Sequence, residues 1–263
     1  MSGSAGDLRG AITVRPLEPA DVDAAVALHL DSLGDEFISG FGAEFLRRYY
    51  RAFSASPHGL VLVAIDGSGG QLAGFLLGNL DPAAHYRAVV RDAGVALGMA
   101  MLVHACRHPR VGWALARTRA RRYAGGLARM AWRRLGAALR PASPGVRPTG
   151  EATGEVTHVA VGTGFRRRGI GALLVDRAIE TAASAGLARL ELVTPADDLG
   201  AQAFYDRTGW QRDGTLVSRS GERFVAYHRD LRGAIPGAEG GGAVPGAEGG
   251  GAAGGAGTGG PTH

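Results

Sequence analysis

The chain has 263 residues, 29 basic and 24 acidic, for a formal net charge of +5 at pH 7. The basic residues are all arginine, a usage that a coding bias toward GC-rich codons explains, so the charge is a weak sign of an anionic partner. The lone cysteine, Cys106, excludes an internal disulfide and a thiolate metal cluster. The N-terminus lacks an apolar signal core, and no uninterrupted apolar run reaches the roughly 20 residues that span a bilayer. The default expectation is a cytoplasmic protein with no resident metal and no integral membrane segment.

Residues 1–11 read as a disordered leader, 12–231 as one domain, and 232–263 as a disordered tail. The tail is almost wholly Gly, Ala and Pro and repeats the octad PGAEGGGA at Pro236–Ala243 and Pro245–Ala252, with too little apolar surface to offset ordering entropy. Ile12, Val14 and Pro16 open the domain as a strand, and Pro19, Ala20 and Asp21 suit the first turn of a helix through His29. Phe45, Leu46, Tyr49, Tyr50 and Phe53 recur at helical spacing and read as core. Leu60–Ile65 and Leu72–Gly78 are strand-like runs joined by DGSGGQ, which is hairpin chemistry.

The stretch from about 81 to 150 reads as an inserted helical segment. From Ala93 through Gly150 it carries eleven arginines and no acidic residue. Breaks are expected at His108–Pro109 and Gly125–Gly126, and Leu127–Arg140 collects Leu127, Met130, Ala131, Leu135 and Ala138 on one face. Trp113 and Trp132 are expected to pack inside the segment, and 141–150 reads as a linker. Beyond it, EVTHVAV is a strand and GIGALLVDRAIETAASAG a helix with Ile170, Leu174 and Ala178 on one side. LARLELV is a second strand, LGAQAFYDRTGW a helix stopped by Gly209, and a hairpin turns about Ser220 and Gly221. The sum is an α/β (α+β layered) fold around a central sheet.

Between the first of these strands and its helix lies GFRRRGIG, Gly164–Gly171. A helix that starts in a glycine turn offers unpaired N–H groups and about half a positive charge to a phosphate. Gly169 and Gly171 permit close approach, and Arg166, Arg167 and Arg168 add charge. The physics predicts a pyrophosphate. A Walker A loop needs a lysine, and a dinucleotide fingerprint needs GxGxxG where this chain has RxxGxG, so neither applies.

RxxGxG between strand and helix, in the context VAVGTGFRRRGIGALLVDRAI, resembles motif A of the GNAT superfamily of N-acetyltransferases. DLGAQAFYDRTGW is similar to that family's second signature, in which a helical Tyr is followed four residues later by Gly and an aromatic. The resemblance covers Ile12–Gly78 and Glu155–Leu231. Thr163 stands where the family usually has Pro, and Asp198 where Asn usually opens the second signature.

The resemblance implies a mixed, mostly antiparallel sheet flanked by helices, with acetyl-CoA as co-substrate in a V between Val156–Val161 and Leu190–Val193. It assigns pantetheine to the backbone of Val159, Ala160 and Val161, and pyrophosphate to Arg166, Arg167, Arg168, Gly169, Ile170, Gly171 and Ala172. Asp198 and Ala201 complete the cofactor set. Glu155, eleven residues before Arg166, falls where some histone-modifying members carry a catalytic glutamate and is the candidate base. His158 is the rival, although alternation points it to the other face unless a bulge intervenes. Tyr205 matches the tyrosine that protonates the departing thiolate, and a backbone N–H near Val161 is placed to polarise the thioester carbonyl.

The implied activity is acetyl transfer to a primary amine of a small molecule or protein by direct attack. The alternatives are a non-catalytic acyl-CoA-binding or regulatory module, and a basic protein that binds nucleic acid, or a membrane surface, through the arginine-rich segment.

Overall fold

The computed structural model describes residues 12–34, 36, 38–108, 152–218 and 221–231. The expectations for the leader, the Gly125–Gly126 break, the 127–140 face, Trp113, Trp132, the linker and the tail lie outside the described residues.

Chain order runs β1 (Ile12–Pro16), α1 (Val22–Ser32), α2 (Gly42–Ala55), β2 (Gly59–Asp66), β3 (Leu72–Asn79), α3 (Pro82–Arg107), β4 (Thr153–Val161), α4 (Ile170–Ser184), β5 (Arg189–Pro195), α5 (Leu199–Arg207), β6 (Gln211–Val217) and β7 (Arg223–Asp230). The strands form one seven-stranded sheet in the order β1-β2-β3-β4-β5-β7-β6. Every neighbouring pair is antiparallel except β4 with β5.

The run of apolar residues in β2 is explained by burial on both faces, because helices cover each side of the sheet. On one face Leu62, Leu76, Val156 and Leu190 pack with Ile170, Leu174 and Ala178 of α4. On the other, Val63, Phe75, Leu77 and Ala160 meet Val26 of α1 and Leu46, Tyr50 and Phe53 of α2. Each fully buried large side chain of this kind contributes on the order of 1.5–3 kcal/mol. The helical spacing read at Phe45–Phe53 therefore marks the inner face of α2.

Asp81 caps α3, its Oδ1 accepting the Ala84 N–H at 2.8 Å, with Pro82 in the first turn. The helix ends at Arg107, just before His108–Pro109, where proline disfavours helical backbone in the residue ahead of it. The beginning of the inserted segment is thus part of the domain. Leu97, Ala100 and Met101 pack against the α1/α2 cluster, while Val95, Met99 and Leu102 are exposed. By length and composition α3 is long and apolar enough to cross a membrane, with a mean hydropathy of 1.4 over its most apolar window, of which 6% is buried. The sequence expectation rested on unbroken apolar runs, and here Arg91 and Asp92 break the run.

Two irregularities position the site. Between β3 and β4 the register slips, with Leu77 opposite His158 and Gly78 opposite Val156, so Thr157 is an extra residue on β4. Between β4 and β5 only Thr153, Gly154 and Glu155 find partners, in Arg189, Leu190 and Glu191. Beyond Glu155 the two strands part.

Candidate active site

The parting leaves Val156–Val161 of β4 without a partner strand on their β5 side, an exposed backbone edge inside the sheet that suits an extended, amide-bearing ligand. Val159 and Val161 lean toward the α4 face and Ala160 toward the α1/α2 face. All three sequence candidates for pantetheine therefore line the open part of the V.

At the mouth of the V the chain makes a short 3₁₀ turn, Thr163–Phe165, and enters α4 through Gly169. Gly169 is the N-cap residue with φ 78°, and no side chain caps the helix. The first-turn N–H groups of α4 are thus left to a ligand. A Cβ on Gly171 would meet the Phe204 ring at 3.4 Å and Val161 Cγ2 at 3.8 Å, between α5 and β4. Arg166 Nε donates to the Val161 carbonyl at 3.2 Å, Arg168 lies over the Phe165 ring at 5.6 Å, and all three arginines are exposed. Turn, helix start and arginines fit the pyrophosphate of a CoA thioester.

The other wall is α5. Its N-cap Asp198 accepts the Ala201 N–H at 2.9 Å, so these two candidates engage each other, and this contact fixes the helix start. Tyr205 packs against Phe204, Trp210 and Tyr227, with ring centroids 5.1, 5.8 and 5.6 Å away. Burial, then Asp198 and Tyr227, push its phenol up to about 12. The hydroxyl is therefore protonated at neutral pH.

Glu155 stands at the closed end of the V, opposite Asn79 of β3. Its Oε2 accepts from Asn79 Nδ2 at 3.3 Å. Burial, then the neighbouring Glu155 carboxylate with which it hydrogen-bonds, push the Tyr86 phenol of α3 up to about 12. Tyr49 of α2 is raised by its burial first, and by Tyr86, Glu155 and Glu36. The carboxylate thus faces α2 and α3, not the core under α4.

Simple alternation from Glu155 sends His158 to the opposite face, and the structure corrects that. The bulge at Thr157 returns His158 to the α1/α2 face, where its ring lies 5.4 Å from His29. Its Nε2 meets Glu36 Oε2 at 2.9 Å, and its Nδ1 lies 3.0 Å from Thr157 Oγ1. Glu36, Asn79, Tyr86 and Thr157 carry no motif and were invisible in the sequence. Only the arithmetic of a bulge linked His158 to this group. Among the described residues no group of three or more His, Cys, Asp or Glu could hold a metal ion.

The sequence pattern of the Acetyltransferase (GNAT) family matches residues 111–210, a span that takes in β4, the glycine turn, α4, β5 and α5. A GNAT-family crystal structure from Desulfovibrio desulfuricans is similar in fold, with a TM-score of 0.50 and 12% identity over 84% of this chain and 99% of that one. An N-acetyltransferase from Staphylococcus aureus Mu50 gives a TM-score of 0.50 and 14% identity over 84% and 98%. No curated protein sequence matches the chain. Fold and matched segment together define an acyltransferase. The fold is that of GNAT-family acetyltransferases, and that family's pattern matches the segment 111–210.

Proposed function

We propose that this protein transfers the acetyl group of acetyl-CoA to a primary amine, of a small molecule or of a protein, by direct attack in a ternary complex. The observation that carries the reading is the parting of β4 from β5 next to a helix start with no side-chain cap. An extended thioester lies along Val159–Val161 with its pyrophosphate on Arg166–Ala172, and the acceptor enters from the α1/α2/α3 face.

An alkyl ammonium must lose a proton before its nitrogen can attack, and Glu155 is the carboxylate on that face. A backbone N–H near Val161 polarises the thioester carbonyl as charge develops on its oxygen. The neutral Tyr205 phenol then gives its proton to the departing CoA sulfur and regains one from solvent. In this reading Glu155 and Tyr205 take the roles that the resemblance implies.

The test is the melting temperature with acetyl-CoA, CoA and ATP, each at about a hundred times a plausible Kd, where a bound ligand stabilises by roughly 2.7 kcal/mol. A rise with both CoA species and none with ATP is expected, followed by thiol release in an amine panel. A CoA-dependent rise with no thiol release from any amine would instead support a non-catalytic acyl-CoA-binding module.

A further inference from the structure

Acetylation of an ammonium removes two protons from nitrogen. The first frees the lone pair that forms the N–C bond, and the second leaves as the C–S bond breaks and the amide forms. One proton ends on the CoA sulfur and the other in solvent. Glu155 takes the first; the second passes to Glu155 once it has discharged, to water, or to another group on the same face.

The structure holds a chain of groups there that belongs to neither the glycine-turn motif nor the second signature. Thr157 Oγ1 lies 3.1 Å from the Leu77 carbonyl oxygen and 3.0 Å from His158 Nδ1, while His158 Nε2 lies 2.9 Å from Glu36 Oε2. The chain starts at the bulge, two residues along β4 from Glu155, the last residue paired to β5, and the Thr157 hydroxyl reaches the Leu77 carbonyl of β3. The hydroxyl has a single proton and two acceptors in reach. With a neutral ring it donates to Nδ1, and with a protonated ring it accepts from Nδ1–H and turns its own proton to Leu77. In both states Nε2–H stays on Glu36.

We propose, resting on the acetyltransferase reading above, that Thr157 and His158 form a second proton-accepting relay for the acceptor amine, with Glu36 as the positioning residue that fixes the ring tautomer. The departing N–H proton passes to Thr157 Oγ1 as the hydroxyl's own proton moves to His158 Nδ1. The imidazolium is held against the Glu36 carboxylate, and the side chain, 14% exposed, returns its proton to water. Other titratable groups facing this cluster are His29 of α1, Tyr49 and Tyr50 of α2, Tyr86 of α3 and Glu155 of β4. His29 is itself bonded to Tyr50, at 3.0 Å.

The test combines kinetics with a readout independent of turnover. In the full-length protein, imidazole ¹⁵N NMR of neutral His158 is expected to show the proton on Nε2, and Glu36→Gln is expected to weaken that preference. A neutral ring protonated on Nδ1 overturns the proposal, whether or not any amine is acetylated. In the acetyl-CoA assay, His158→Gln and Thr157→Val are each expected to lower kcat about a hundredfold and to erase the same limb of the pH profile, with the melting rise on acetyl-CoA retained. Thr157→Ser is expected to restore both, and Glu36→Gln to move the limb to lower pH. A Thr157→Val protein with the wild-type profile, or a Thr157→Ser protein no better than it, overturns the relay while leaving the acetyltransferase reading intact. A wild-type protein that acetylates no amine sinks that reading instead.

Discussion

Arg167 and Gly169, two residues apart at the entrance to α4, both hold left-handed backbone, with φ of 61° and 78°. Arg167 is the one non-glycine among the described residues to do so. A side chain in this region costs on the order of 1–3 kcal/mol, and the turn tolerates it at one of the two positions. Gly169→Ala is therefore expected to lower stability by about 1 kcal/mol in urea unfolding and to weaken acetyl-CoA binding. Arg167→Gly should unfold no more easily than the wild type. A Gly169→Ala protein that binds acetyl-CoA normally would remove the turn from the phosphate site.

Gly171 separates ligand space from packing. A Cβ there makes ordinary contact with Phe204, and alanine is the better helix former, so Gly171→Ala should be as stable as the wild type or slightly more so. The same methyl intrudes on the proposed phosphate seat. Calorimetric titration should give a Kd for acetyl-CoA weakened at least about tenfold, equivalent to roughly 1.4 kcal/mol.

Tyr205→Phe keeps the ring that packs on Trp210 and Tyr227 and removes only the hydroxyl. The expected result is a fall in kcat of about a hundredfold, with the KM for acetyl-CoA and the melting temperature nearly unchanged. Because the phenol titrates at about 12, the wild-type rate should show no limb from this residue at any pH below about 11. A kcat unaffected by the substitution would leave Tyr205 a packing residue.

His29 is fully buried, stacked on Phe75 with centroids 5.7 Å apart. Burial first, then His158, lower its pKa to about 4, against the opposing pull of Glu36. The native imidazole stays neutral where the unfolded one takes up a proton. Its contribution is thus fully present above about 6.5 and is lost as pH falls through about 4. The amount is on the order of 3 kcal/mol. Urea midpoints measured from pH 7 to 4 should fall for the wild type and fall less for His29→Gln.

What the sequence made legible was local. The hairpin, the helical spacing of α2, the stop at Gly209 and the glycine turn into α4 at Gly164–Gly171 each depend on neighbours a few residues apart. Asp198 was read through the resemblance as a cofactor residue, and the structure shows it as the N-cap of α5, a role that its place at the opening of a helical run explains. The contact of His158 with Glu36 depends on the register of β4 against β3, strands whose ends are separated by α3 and the arginine-rich stretch. No periodicity carries that register. The exposed outer face of α3 was hidden for a different reason: its apolar residues run all round the helix, so the pattern gave no inner side to choose.

The short seam between β4 and β5 also has a mechanical meaning. Three residue pairs join the strands, against five to seven at every other seam of the sheet. Under load or heat, the sheet should tear there first, into a four-stranded leaf ending at β4 and a three-stranded leaf beginning at β5. A molecule lying in the gap would then act as a rivet between the leaves, and pulling experiments should register its presence as a higher rupture force at this line.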